Sequence, residues 1–242
     1  MSEEGLKVVD AFDLDDELRS LLRPGEMVRD AHERRHRLPR YFYEIPTYEA
    51  AKQIRLTPNF HLNELIRVDL KEAARAQTYP RYVPCAVRAL AFYLQRFRDQ
   101  LGGSVHIAVN GGYRSPGHKL AVAATPHMWG TAADIYRIGN TILKDQESIE
   151  KCNRIAREVS DDFWAMPYGH EIGRADDHVH LDLGYLVIIP REISEDRMEL
   201  PQLQPRFAIE ERRRGDRRVS GEGAELETDE IAGSVREVPD EA

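Results

Sequence analysis

The chain reads as an α+β domain: a small antiparallel sheet with flanking helices, the helices to one side. Three observations predict this class. Short stretches near residues 105–110, 131–136 and 178–183 alternate apolar and polar side chains with the period of a half-buried strand, and a further short strand is read near 164–168. Val87, Leu90, Ala91, Leu94 and Leu101 recur at helical spacing before a Gly102-Gly103 stop. Ile149, Cys152, Ile155, Ala156 and Val159 mark a second helix over about 144–160.

In chain order, residues 1–50 read as an extension with an amphipathic helix near Asp13 to Leu22 and a basic stretch, ERRHRLPR. Its aromatic run, YFYEIPTY, is expected to pack against the domain. The domain itself is placed at 51–200 and opens with the turn NFHLNEL, followed by the first long helix. Val105, Ile107 and Val109 then face inward along a strand that stops at Gly111-Gly112. Ser115 as N-cap and Pro116 at the first helical position predict a helix, with Tyr113 and Arg114 held at the strand-to-helix corner. Ala133 and Ile135 alternate around Asp134 after a Gly130 turn that brings His127 back toward that strand.

The 201–242 tail is charged and predicted disordered. From Val219 to Ala242 it carries eight acidic residues against Arg236 alone. The tail thus holds most of the net charge of -8, and the Arg212–Arg218 cluster before it reads as a solvated charge run. No nucleic-acid partner is expected. The chain has 242 residues, of which 41% are hydrophobic, enough for one sizeable core with extensions. Leu186 to Ile189 is far shorter than the roughly 20 residues that span a bilayer, so no membrane association is expected. Cys85 and Cys152 sit at helical positions in apolar settings and read as buried thiols. No internal repeat, Gly-rich phosphate loop or nucleophile elbow occurs.

The chemistry-bearing residues fall in two segments, TPHMWGTAADIY with His127 and Asp134, and DDHVHLDLG with His178 and His180. Two imidazoles and one carboxylate are what a catalytic zinc site usually takes from a protein, leaving a position for water or substrate. If HVHLD is a strand, His178, His180 and Asp182 share one face while Val179, Leu181 and Leu183 face a core. Neither segment is HExxH, so a helical zincin is not indicated. His180-Leu181-Asp182 also matches the H-x-D half of an iron facial triad, but no histidine follows His180 to complete it. His106 and His170 are read as structural. A guanidinium at Arg114 can pair a carboxylate or polarise a carbonyl.

Taken together, GGYRSP, PHMWGTAADI and HVHLDLG resemble the zinc D-Ala-D-Ala peptidase family, with its hedgehog/DD-peptidase fold. NFHLNELIRVD is similar to the opening segment of the zinc D-Ala-D-Ala carboxypeptidase branch, and the resemblance spans roughly residues 56–190. It implies Zn2+ on His127, Asp134 and His180, proton transfer by His178, and Arg114 steadying the substrate's carbonyl or carboxylate. Tyr113 and Ser115 are expected to contact substrate, and Asp182 to orient an imidazole. The departures are Thr125 and His118-Lys119 where the family has Ser and Asn, and a short connection from Pro116 to His127. They leave the ligand set intact and bear on the substrate subsites.

The implied activity is hydrolysis of peptide bonds next to D-alanine in peptidoglycan stem peptides or cross-links, by carboxypeptidase or endopeptidase action. The alternative is a non-enzymatic zinc module on the same fold, serving an interaction or structural role. The acidic amino terminus lacks a secretory signal. A protein cytoplasmic as synthesised, reaching the wall by lysis or a non-classical route, is therefore the expectation. Oligomeric state is left open.

Overall fold

The computed structural model describes residues 6–171 and 173–191. In chain order it contains β1 (Lys7–Asp10), α1 (Asp16–Leu22), β2 (Met27–Arg29), β3 (Arg35–Arg37), β4 (Tyr41–Glu44), α2 (Tyr48–Gln53), β5 (Arg55–Thr57) and β6 (Phe60–His61). There follow β7 (Tyr82–Pro84), α3 (Val87–Leu101), β8 (Val105–Ile107), β9 (Ala132–Ile138), β10 (Thr141–Ile142), α4 (Gln146–Val159), β11 (Trp164–Ala165) and β12 (Val179–Asp182). This is a mixed α/β fold with small antiparallel sheets. The tail from 201 to 242, with its Arg cluster and acidic stretch, lies outside the described residues.

The larger sheet runs β10-β9-β12-β11, with β8 also paired to β9, and every pairing is antiparallel. Alternation along β9 and β12 sorts the side chains. Ala133, Ile135, Val179 and Leu181 are fully buried in the main core, whereas Asp134, His180 and Asp182 point to the other face. Helices α3 and α4 close the core side. The first contributes Val87, Leu90, Ala91, Leu94 and Phe97, and the second Ile149, Cys152, Ala156 and Val159. Gly102, with φ 67°, ends α3 in the left-handed conformation. The Asp145 carboxylate caps α4 by accepting from the Ser148 backbone N–H at 2.9 Å. Phe163 lies between the helices and β11, its ring 5.6 Å from that of Tyr93.

Several expectations change. In place of one sheet there are two of three or more strands, plus the hairpin β2–β3 and the pair β5–β6. Residues read as an extension supply β1 and β4, which join β7 in the second sheet, and Tyr41, Tyr43 and Ile45 enter the main core. The boundary set at residue 50 therefore falls within one packed body. Cys85 and Cys152 are buried and neither is in a disulfide. No helix of the described residues is long and apolar enough to cross a membrane.

The helix expected after Ser115-Pro116 is a run of turns instead. The His118 N–H bonds to Ser115 O and the Ala121 N–H to His118 O, while the Leu120 N–H is taken by the His118 ring. Side-chain acceptors compete here for the donors a helix needs. Strand β8 stops at Ile107, and Val109, expected inward, is exposed. The chain then turns through Asn110, at φ 60°, and passes over β9.

That crossing depends on two glycines. A Cβ at Gly111 would meet the Asp134 carbonyl, and one at Gly112 would collide with the Leu65 backbone, to which the Tyr113 N–H bonds at 2.8 Å. Gly112→Ala is expected to lower stability in urea melts by about 3 kcal/mol, since backbone cannot move aside as a side chain can. Gly103→Ala, where the added methyl meets Ile138 and the Gly139 backbone in ordinary contact, is expected to change it by less than about 1 kcal/mol.

Candidate metal centre

The site is assembled from β9 and β12 and two segments that lie over them. His180 and Asp134 are directly opposed in the register of these strands, so their side chains rise together from the sheet. A 3-10 turn at Pro126–Trp129, closed by Gly130 in the left-handed conformation, lowers His127 onto them. The loop from Ala108 to Arg114 covers the remaining side, bound by the Ala108 N–H to Asp134 O and the Asp134 N–H to Gly111 O.

One nitrogen of each imidazole is anchored and the other faces the Asp134 carboxylate. His127 Nδ1 lies 2.8 Å from Gly112 O, a carbonyl that can only accept, so the ring carries its proton there and leaves Nε2 bare. Nε2 is 3.3 Å from Asp134 Oδ1. His180 Nε2 is held 3.1 Å from Asp182 Oδ2, and its Nδ1 lies 2.7 Å from the same Asp134 Oδ1. Arg114 pairs through Nη2 with the other oxygen, Asp134 Oδ2, and its Nε donates to Asn110 O. The carboxylate is thus oriented by the guanidinium with Oδ1 turned to the imidazoles. His127, Asp134 and His180 are all buried, and their ligand atoms lie within 4.8 Å of one another. This group can hold a metal ion.

The electrostatics fit such a role. Burial lowers the pKa of His127 and keeps it neutral, as a ligand must be. Burial alone would raise the Asp134 carboxyl, but its interaction with the facing imidazoles, of which His180 carries the proton, holds it well below the usual range. His180 is also subject to a lowering by burial, which hydrogen bonds to Asp134 and Asp182 outweigh, raising it to about 9. Without metal, a proton on His180 Nδ1 occupies the place a cation would take.

The other predicted residues divide. His178 stands at the edge of the group with its Nδ1 2.6 Å from Asp177 Oδ1 and its Nε2 3.7 Å from Asp134 Oδ1. Arg114, expected to face substrate, spends Nε and Nη2 on the protein, leaving Nη1 outside these contacts. Tyr113 and Ser115, expected to contact substrate, are both buried. The backbone at 113 is pinned to Leu65, which turns the Tyr113 ring into the core, and the Ser115 hydroxyl donates to the buried Glu72 carboxylate. His106 bonds to Ser104 and Arg137, and His170 to Asp176.

Two groups of residues escaped the sequence reading. Glu72 accepts from the Ser115 N–H and Oγ, tying a distant loop beneath Arg114, and its sole sequence signal is an acidic residue in a polar stretch. Around Asp30, the β2–β3 hairpin embraces both ligand-bearing segments. Trp129 Nε1 donates to Arg37 O at 3.0 Å, the Ala124 N–H to Arg29 O at 2.9 Å, and Tyr185 stacks on His36 with centroids 3.4 Å apart. His36 Nε2 in turn lies 3.0 Å from the buried Asp30 carboxylate.

Comparison with known proteins assigns no family: no family model matches this chain, no curated protein matches it, and no solved structure matches it.

Calorimetric titration is expected to show one divalent ion per chain, with binding lost in His127→Ala, Asp134→Ala and His180→Ala. Asp182→Asn, which weakens the hold on His180 Nε2, is expected to reduce affinity about 10- to 100-fold. Because the cation must displace the His180 proton, metal uptake releases a proton and affinity falls as pH drops below about 9. A pH-independent affinity, or no buffer-dependent heat of proton release, contradicts this. In the metal-free protein the sign reverses. The protonated His180 contributes stability that is complete below its unperturbed value of 6.5 and lost as pH rises through about 9, which melts at several pH values will show.

Proposed function

We propose that the chain is a zinc-dependent peptidase that hydrolyses peptide bonds next to D-alanine in peptidoglycan stem peptides or cross-links. The observation that carries this reading is the approach of His127 Nε2 and His180 Nδ1 to Asp134 Oδ1, at 3.3 and 2.7 Å, with His178 beside them and a third exposed. Two imidazoles and a carboxylate suit zinc and leave it a coordination position. The choice of D-alanine rests on the resemblance of GGYRSP, PHMWGTAADI and HVHLDLG to the zinc D-Ala-D-Ala peptidases.

Zinc bound there supplies a Lewis acid and a water of lowered pKa. The chain's own residues do the rest. Arg114 keeps Asp134 Oδ2 occupied so that Oδ1 faces inward, and Asp182 fixes the His180 tautomer by accepting a hydrogen bond from its Nε2–H. His178, its Nδ1 anchored by Asp177, presents Nε2 to the site, where it takes a proton and returns it to the leaving amine. Arg114 Nη1 is left to hold an oxygen of the substrate.

The proximity of His178 Nε2 to Asp134 Oδ1 also favours a second reading, in which His178 becomes a fourth ligand and closes a purely structural zinc site. One variant separates the two. In the peptidase, His178→Ala keeps its zinc and loses about 10²- to 10⁴-fold in kcat. In the structural module it loses zinc affinity, and the wild type has no activity. Mass spectrometry of purified peptidoglycan incubated with the zinc-loaded protein is expected to reveal products ending at D-alanine, absent with His180→Ala. No zinc-dependent product from any wall type overturns the peptidase.

A further inference from the structure

Trp164 is poorly explained by the core. It lies on the two-residue edge strand β11, where its neighbour Ala165 packs inward while the indole is 47% exposed. Its register partner is Asp182, so it shares the sheet face that carries Asp182 and His180. The indole centroid is 6.0 Å from the His180 ring, at an interplanar angle of 69°. A singly exposed apolar side chain is ordinary on a protein surface. This one differs in its position, since it stands against a candidate ligand whose two hydrogen-bond partners, Asp134 and Asp182, are carboxylates. Binding sites combine a few placed polar groups with apolar walls, and here Trp164 supplies such a wall.

We propose that Trp164 is a substrate-contacting residue, whose indole takes up a hydrocarbon face of the bound substrate. The shared chemistry is a C–H surface against an aromatic ring, and its source is either an alanyl methyl or the C–H face of a sugar ring. The identity of these substrates rests on the peptidase reading. The contact itself does not, because it can be read without turnover.

The chain has two tryptophans, and the other, Trp129, is fully buried. Acrylamide quenching of the zinc-loaded full chain therefore reports on Trp164, with Trp164→Phe giving the Trp129 background. The probes are a pentapeptide ending in D-Ala-D-Ala and the same peptide carried on its disaccharide. Protection by the free peptide assigns the contact to the methyl, and protection by the disaccharide form alone assigns it to the sugar. In turnover, Trp164→Ala is expected to raise KM about tenfold with zinc affinity unchanged, and Trp164→Phe to recover most of the loss.

Protection without cleavage supports the contact and removes the peptidase reading. Cleavage by the wild type, with no protection and an unaltered KM in Trp164→Ala, overturns the contact and leaves the peptidase standing. Neither cleavage nor protection overturns both. A fall in zinc affinity at unchanged KM means that the indole only shields His180, and also overturns the proposal.

Discussion

The Asp134 carboxylate is the fixed point of this molecule. One of its oxygens is held by Arg114, and the other is approached by nitrogens of His127, His180 and His178. A buried carboxylate so surrounded cannot shift without leaving several largely buried polar groups unpaired. Its place is set by the core on the far side of the sheet. Ala133 and Ile135 are fully buried, so alternation leaves Asp134 only one direction to point. The opposition of His180 to Asp134 follows from the same register, since Val179 and Leu181 are buried in that core too.

The rest of the structure keeps the loops over that point. Gly111 and Gly112 let the chain cross β9 closely enough for the Gly112 carbonyl to reach His127. The β2–β3 hairpin then braces the ligand loops from outside, through Trp129 on the segment of His127 and Tyr185 just beyond β12. At the centre of that brace, burial would raise the Asp30 carboxyl, yet hydrogen bonds from His36, Arg34 and His32 hold it below the usual carboxylate range. An ionised Asp30 thus remains available to His36 throughout the neutral range. The N-terminal residues are in this way part of the scaffold of the centre.

Much of the site was legible because its logic is local. Period-two alternation separates the faces of 132–136 and 178–183, which puts His180 and Asp182 on one face and turns Asp134 away from the core, while their meeting also needs the register of β9 against β12. Helices α3 and α4 announce themselves by their apolar stripes in the same way. What could not be read depends on partners far along the chain. Nothing near Ser115 says that Glu72 will claim its hydroxyl, or that Leu65 will pin the backbone at Tyr113 and send its ring inward. The helix expected at Pro116 gives way to turns where the His118 ring takes the Leu120 N–H. Arg114 was recognised as a cation facing the site, but its choice of Asp134 as acceptor is a matter of three-dimensional placement. The pairing of β4 with β7, which joins residues before 50 to the core, is equally non-local.

His127, Asp134 and His180 are expected to hold one metal ion with a position left open. Anomalous diffraction from a crystal of the zinc-loaded protein tests this most directly. The predicted result is a single peak bonded to His127 Nε2, Asp134 Oδ1 and His180 Nδ1, at zinc–nitrogen distances of about 2.0–2.1 Å, with solvent as the remaining ligand. A peak elsewhere, or one closed by His178 as a fourth protein ligand, would contradict it.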